Sequence, residues 1–112
     1  MAGKTRLRDP GVSPALELDT LIHERVRLAI LTALGSHGSL SFNELKALTE
    51  ATDGNLSTHT QKLENAGYVQ AAKSLFGGRS KTTYEITGAG RRALMDYLQA
   101  LERLMGGLKA TS

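Results

Sequence analysis

The sequence predicts a mainly α-helical domain with one small β-hairpin, an α+β fold of 112 residues. Three observations carry this. Apolar residues recur at steps of three and four through most of the chain, the period of amphipathic helices. Residues 69–86 break that period with β-branched and aromatic residues around a "FGG" connector, the pattern of a hairpin. Aromatics are few (Phe42, Phe76, Tyr68, Tyr84 and Tyr97) and Trp is absent, so the core must be Leu, Ile, Val and Ala.

Residues 1–17 hold both prolines, Pro10 and Pro14, and little apolar pattern. They read as a flexible basic arm carrying Lys4, Arg6 and Arg8, ahead of a single domain over 18–112. From Asp19 onward Leu21, Ile22, Val26, Ala29, Ile30, Ala33 and Leu34 form one helical stripe. Asp19 or Thr20 is the expected cap and Gly35 the expected stop. "SHGSL" follows as a turn. Ser41 with Glu44 three residues on makes a capping box for a second, shorter helix, with Leu45 and Leu48 facing inward and Phe42 beside them.

The third helix spans 53–66, capped by Thr52 or Asp53 and stopped by Gly67. Strands in "YVQAAKSL" and "KTTYEIT" flank "FGGRS", and Thr87 caps a last helix of about residues 88–108. The order is helix, helix, turn, helix, hairpin, helix. That is the order of a winged helix-turn-helix.

The third helix carries the functional argument, because its first half is rich in short hydrogen-bonding side chains that are mediocre helix formers. Advancing about 100° per residue from Leu56, Thr60, Leu63 and Ala66 fall on the buried side. Gly54, Thr58, Gln61 and Asn65 point outward, flanked by Asn55, Ser57 and Lys62, while His59 lies at the border, a candidate phosphate contact or a buried structural residue. Amides and hydroxyls of this kind fit base edges, and Lys62 suits a phosphate. Gly54 keeps the helix N-terminus slim where a phosphate can approach its N–H groups.

Charge agrees. Residues 10–53 are net acidic, whereas 54–84 hold Lys62, Lys73, Arg79 and Lys81 against Glu64 alone. This asymmetry points to a polyanionic partner, and with the helix-turn-helix order and the face of the third helix the expected partner is double-stranded DNA. Lys73, Arg79 and Lys81 surround the Gly-rich hairpin tip, which suits a narrow minor groove.

The segments "LIHERVRLAILTAL", "FNELKALT", "TDGNLSTHTQKLENAGYV", "TTYEITGAGRRAL" and "YLQALERL" together resemble winged-helix transcriptional regulators related to the MarR and ArsR groups. The resemblance covers roughly residues 18–105 and is nearest to a compact subfamily with the pattern TDGNLS-H-KLE-AGYV. It implies a homodimer on a short palindromic operator, with Asn55, Ser57, Thr58, Gln61 and Lys62 in the major groove. Thr60 departs from the pattern, which usually has Leu there, and is expected to loosen the helix packing.

The last helix is longer than support of a wing requires. Leu94, Leu98, Leu101, Met105 and Leu108 alternate by four and three, with Tyr97 and Leu104 widening the stripe. That spacing fits a subunit seam over Leu94, Tyr97, Leu98, Leu101, Leu104 and Met105.

Other chemistries find little support. The chain has no cysteine, which removes disulfides, thiolate metal sites and cysteine nucleophiles. His23, His37 and His59 are scattered, and "HERVR" lacks the second histidine of a zinc-protease helix. No catalytic triad, phosphate-binding loop or carboxylate pair stands out. Neither an enzyme nor a metal or cofactor is expected. No secretory signal or membrane span is evident, so a cytoplasmic location is the default. An unknown small-molecule effector fits the resemblance, with no residue naming its class. The rival reading is a winged helix that serves as a protein-interaction module without binding nucleic acid.

Overall fold

The computed structural model describes residues 18–111; the predicted arm over 1–17 lies outside them. The chain builds α1 (Arg25–His37), β1 (Leu40–Ser41), α2 (Phe42–Thr49), α3 (Asp53–Asn65), β2 (Val69–Phe76), β3 (Arg79–Ile86) and α4 (Gly88–Thr111). This is the expected α+β winged helix-turn-helix with a long C-terminal helix.

The first helix starts later than its apolar stripe suggests. Asp19 takes the Leu21 N–H on its side chain at 2.9 Å, and its carbonyl takes the N–H groups of Ile22 and His23. These local bonds close a tight turn that competes with helix. Glu24 is extended and becomes the true cap, its carboxylate accepting the Arg27 N–H at 2.8 Å. Ile22 is fully buried nonetheless. The helix also ends later, at Gly38 with φ 86°, whose N–H returns to Leu34. Gly35 stays inside it; a helix interior tolerates one glycine at a cost of about 1 kcal/mol.

Both halves of the predicted capping box form. The Glu44 N–H donates to Ser41 Oγ at 3.1 Å and the Ser41 N–H to Glu44 Oε1 at 2.7 Å. Leu48, expected inward, is 53% exposed. Thr49 takes the buried position one turn after Leu45, and its hydroxyl donates to the Leu45 carbonyl at 2.8 Å.

A short strand the sequence does not announce joins the hairpin. β1 pairs antiparallel with β3 through Leu40↔Tyr84 and Ser41↔Thr83, giving a sheet in the order β1-β3-β2. Two residues carry too little pattern to be read as a strand.

α1 lies at the centre, touching α2, α3, β3 and α4. It therefore buries more than one stripe, and Leu31, absent from the predicted stripe, is fully covered along with Ile30 and Leu34. Leu45, Leu56 and Leu63 complete the dry centre. Each such side chain contributes about 1.5–3 kcal/mol on burial.

α3 ends in a Schellman motif. The Tyr68 N–H returns to Leu63 and the Gly67 N–H to Glu64, with Gly67 at φ 79°. Ala66, predicted inside, is exposed because this reversal follows directly. Thr87 then caps α4 as expected, its Oγ1 accepting the Gly90 N–H at 3.0 Å. α4 passes so close to the end of α3 that a Cβ on Gly90 would meet the Tyr68 carbonyl oxygen at 2.1 Å.

Gly90→Ala should therefore lower the urea midpoint by the equivalent of about 1–3 kcal/mol. Gly88→Ala, whose Cβ would meet Arg92 at an ordinary 3.7 Å, should be near neutral. Equal midpoints for the two variants would show that α4 shifts freely.

Candidate nucleic-acid interface

α3 is capped by Thr52, whose Oγ1 accepts the Asn55 N–H at 3.2 Å. Its inner side is Leu56, Thr60 and Leu63, all buried. Thr60 satisfies itself, donating to the Ser57 carbonyl at 3.1 Å. A hydroxyl paired in this way is buried without a penalty. The departure from Leu leaves no unpaired group.

Gly54, Asn55, Ser57, Thr58, Gln61 and Lys62 are all exposed, on the face predicted for them. Ser57, Thr58, Gln61 and Lys62 line one shallow, open hollow. Gln61 Nε2 donates to Asn65 Oδ1 at 3.1 Å on the helix surface, which holds the amide extended along the helix. No carboxylate interrupts residues 54–62. Asp53 at the helix start is drawn aside by Lys46 of α2, Nζ to Oδ1 2.7 Å.

His59 does not join that face. It is half-buried, with Nδ1 3.0 Å from Arg27 Nη1 and 3.7 Å from Glu24 Oε1. The sequence reading missed Arg27 and Glu24. Arg27 is 9% exposed. Its signal was a cation in register with Leu31 and Leu34, since such a position demands a polar partner. Burial alone would raise the Glu24 pKa. The Arg27 N–H, the positive charge of Arg27 and the Val26 N–H outweigh that and hold it below the ordinary value.

Two further bonds tie the turn before α1 to the rest. Tyr68 donates to Asp19 Oδ2 at 3.0 Å, and burial together with that bond holds the phenol above its usual range. His23 Nδ1 lies 2.7 Å from the Tyr97 hydroxyl of α4. No group of His, Asp or Glu among the described residues is arranged to hold a metal ion.

The hairpin turns at Gly77 and Gly78, with φ 60° and 79°, the left-handed pair a two-residue hairpin needs. Its register runs from Val69↔Ile86 to Phe76↔Arg79. Because side chains alternate faces, Arg79 and Lys81 share one face and Lys73 lies on the other. Lys73, Arg79 and Lys81 are all exposed. The ribbon thus brings two of the three predicted wing cations together.

α4 divides in two. Leu94 and Tyr97, expected at a subunit seam, are 7% and 4% exposed and belong to the chain's own core. Leu101 and Leu104 are half-buried, whereas Leu98 and Met105 are 38% and 51% exposed. The available apolar face of α4 therefore comprises Met95, Leu98, Met105 and Leu108. No described helix is long and apolar enough to cross a membrane.

A capped, polar-faced third helix beside a basic ribbon is the arrangement of a winged helix that binds DNA. Residues 26–105 match the family of winged helix DNA-binding domains, and the chain belongs to it. An uncharacterised protein of Methanocaldococcus jannaschii, MJ0432, is 42% identical over 79 residues, 70% of this chain and 86% of its own. A transcriptional regulator homologue from Pyrococcus horikoshii OT3 superposes with a TM-score of 0.73 at 30% identity, covering 79% of this chain and 87% of that one. Bacillus subtilis PadR, solved in complex with operator DNA, shares the fold with a TM-score of 0.57 at 24% identity, over 62% of this chain and 45% of its own.

The lowered Glu24 pKa sets a sign for pH. The carboxylate's stabilisation is complete above the unfolded value of 4.5 and is lost as pH falls through the lower folded value. Glu24→Gln should be less stable near pH 7 by about 0.5–1 kcal/mol. Its urea midpoint should fall less than that of the natural chain on acidification below pH 4.5. Parallel acid profiles would show that Glu24 makes no folded-state bond that matters.

Proposed function

We propose that this DNA-binding transcriptional regulator acts as a homodimeric, cytoplasmic repressor that occupies a short palindromic operator. α3 lies in the major groove, and the β2–β3 ribbon is the wing in the flanking minor groove. The observation that carries this reading is the outward face of α3, where Gly54, Asn55, Ser57, Thr58, Gln61 and Lys62 are exposed together. Every group on it is a hydrogen-bond partner or a cation. A protein-docking helix would be expected to show an apolar anchor there. PadR, solved on operator DNA, supports the same use of this fold. Gel shifts on genomic fragments across a salt series test the reading, because phosphate contacts make affinity fall steeply with salt.

Base readers and phosphate neutralisers should separate in that assay. Gln61→Ala should cost about 1–3 kcal/mol at one base position and leave random DNA binding unchanged. Arg79→Ala should weaken all sequences alike and lower the salt slope by about 1 per half-site. An equal loss on operator and random DNA would remove Gln61 from the readers, and an unchanged slope would detach the wing.

The dimer is tested on the part of α4 that its own core leaves open. Leu98→Glu with Met105→Glu places two charges on that face, and a desolvated charge costs several kcal/mol. The variant should sediment as a monomer, keep its helical circular dichroism and lose tight operator binding. A variant that remains dimeric moves the interface elsewhere. A monomer that binds at full affinity removes the palindromic arrangement.

A further inference from the structure

Arg27 is a cation in an apolar place, on α1 among Val26, Ile30, Leu31 and Leu34. Its Nε donates to the Leu21 carbonyl at 2.5 Å, and its Nη1 lies 3.0 Å from His59 Nδ1 on α3. A guanidinium has five N–H donors and no acceptor. The bond therefore has one sense: Arg27 donates, and His59 Nδ1 is the bare nitrogen. That fixes His59 as the neutral tautomer with its proton on Nε2. The other charged group facing it, Glu24, stands off at 3.7 Å and receives the Arg27 backbone N–H instead.

Among the described residues this is the side-chain hydrogen bond that joins α1 to α3. Ile30 on α1 and Leu56 and Leu63 on α3 belong to one buried apolar cluster. Apolar burial is non-directional, so it holds a helix in place without fixing its rotation. A roll of about 20° moves a side-chain tip some 5 Å from the axis by about 2 Å. Hydrogen bonds to base edges tolerate only a few tenths of an ångström. Rotation of α3 is thus a quantity that recognition depends on, and Arg27–His59 is a directional contact at mid-helix that constrains it, between the Lys46–Asp53 pair at one end and the Gly67 reversal at the other.

We propose that Arg27 and His59 are positioning residues for DNA recognition, fixing the roll of α3 and so the aim of Ser57, Thr58 and Gln61. The proposal rests on the reading of α3 as the recognition helix. His59 here touches no base, and its role is carried through the helix.

The test compares the natural chain with Arg27→Met, His59→Leu, their double variant and His59→Gln, whose amide oxygen offers Arg27 a new acceptor. Gel shifts use a genomic fragment selected with the natural chain and a random duplex of equal length, at a temperature where circular dichroism shows each variant folded. Each single variant should lower the preference for the selected fragment about tenfold, and the double variant should lose no more than the singles. His59→Gln should recover part of it. Random-duplex affinity and its salt slope should not change. In mildly alkaline buffer, nitrogen-15 NMR should find the His59 proton on Nε2.

Full preference in the folded single variants would overturn the proposal, as would additive losses or a proton on Nδ1. A salt slope lower by about 1 in His59→Leu would make His59 a phosphate contact and overturn it too. Should a single variant unfold because its partner is left unpaired, the double variant decides, and retained preference there sinks the idea. A natural chain that selects no fragment and binds without salt dependence brings down the recognition-helix reading and the positioning role together. Selective binding with indifferent variants brings down the positioning role alone.

Discussion

The Tyr68 carbonyl is the point on which the arrangement turns. It accepts the Thr87 N–H at 3.0 Å, while the Thr87 hydroxyl donates to the Gly67 carbonyl at 2.6 Å and accepts from Gly90. One residue thus ends the ribbon, caps α4 and grips the C-terminal reversal of α3. α3, the β2–β3 ribbon and the long last helix all leave from this knot. A side chain at Gly90 would prise it apart. Because the bonds are backbone to backbone or involve one threonine, the geometry is rigid and independent of the exposed side chains. The outward face of α3 can therefore vary without disturbing the frame that presents it.

A second constraint reaches α3 at mid-helix, through His59. The turn from Asp19 to Glu24 is fastened to Tyr68 through Asp19 and to Tyr97 through His23, and Arg27 bridges its Leu21 carbonyl to His59. Three elements that are distant in sequence are drawn onto six residues. The turn belongs to no helix because its polar groups are committed to these partners. Of its two large apolar side chains, Leu21 and Ile22, the second is fully buried, which anchors the turn to the core. Hydrophobic burial supplies the stability here, and the polar bonds supply the relative orientation of the helices.

What the sequence disclosed follows the same division. The caps at Ser41, Thr52 and Thr87 were legible because each is a local interaction between neighbours in the chain. The outward residues of α3 were legible because one periodicity separates them from Leu56 and Leu63. Whatever depends on distant partners was not. The start of α1 was misplaced because Asp19 and Glu24 both look like caps, and the choice is made by bonds to Leu21 and Arg27. Leu48 was placed inward by its spacing, yet α2 is short and turns Thr49 to the core instead. β1 was invisible because two residues acquire strand geometry from β3 alone. Leu94 and Tyr97 lie on the same stripe as Leu98 and Met105, and periodicity cannot tell a chain's own core from a partner's surface.

The length of α4 bears on that last ambiguity. α4 has 24 residues, which at about 1.5 Å each makes a rod of some 36 Å. Its first half reaches the core, with Leu94, Tyr97 and Ala100 buried. Beyond Ala100 no described residue of α4 is fully buried, although Leu101, Leu104, Met105 and Leu108 keep the apolar spacing. A helix surplus to its own core gains stability by burying that stripe against a second surface. An identical copy offers the same stripe, so a two-fold pairing satisfies both chains with one interface. Such pairing would set two α3 helices at a fixed separation. Half-site spacing would then be decided by where on α4 burial in the chain's own core ends, at Ala100.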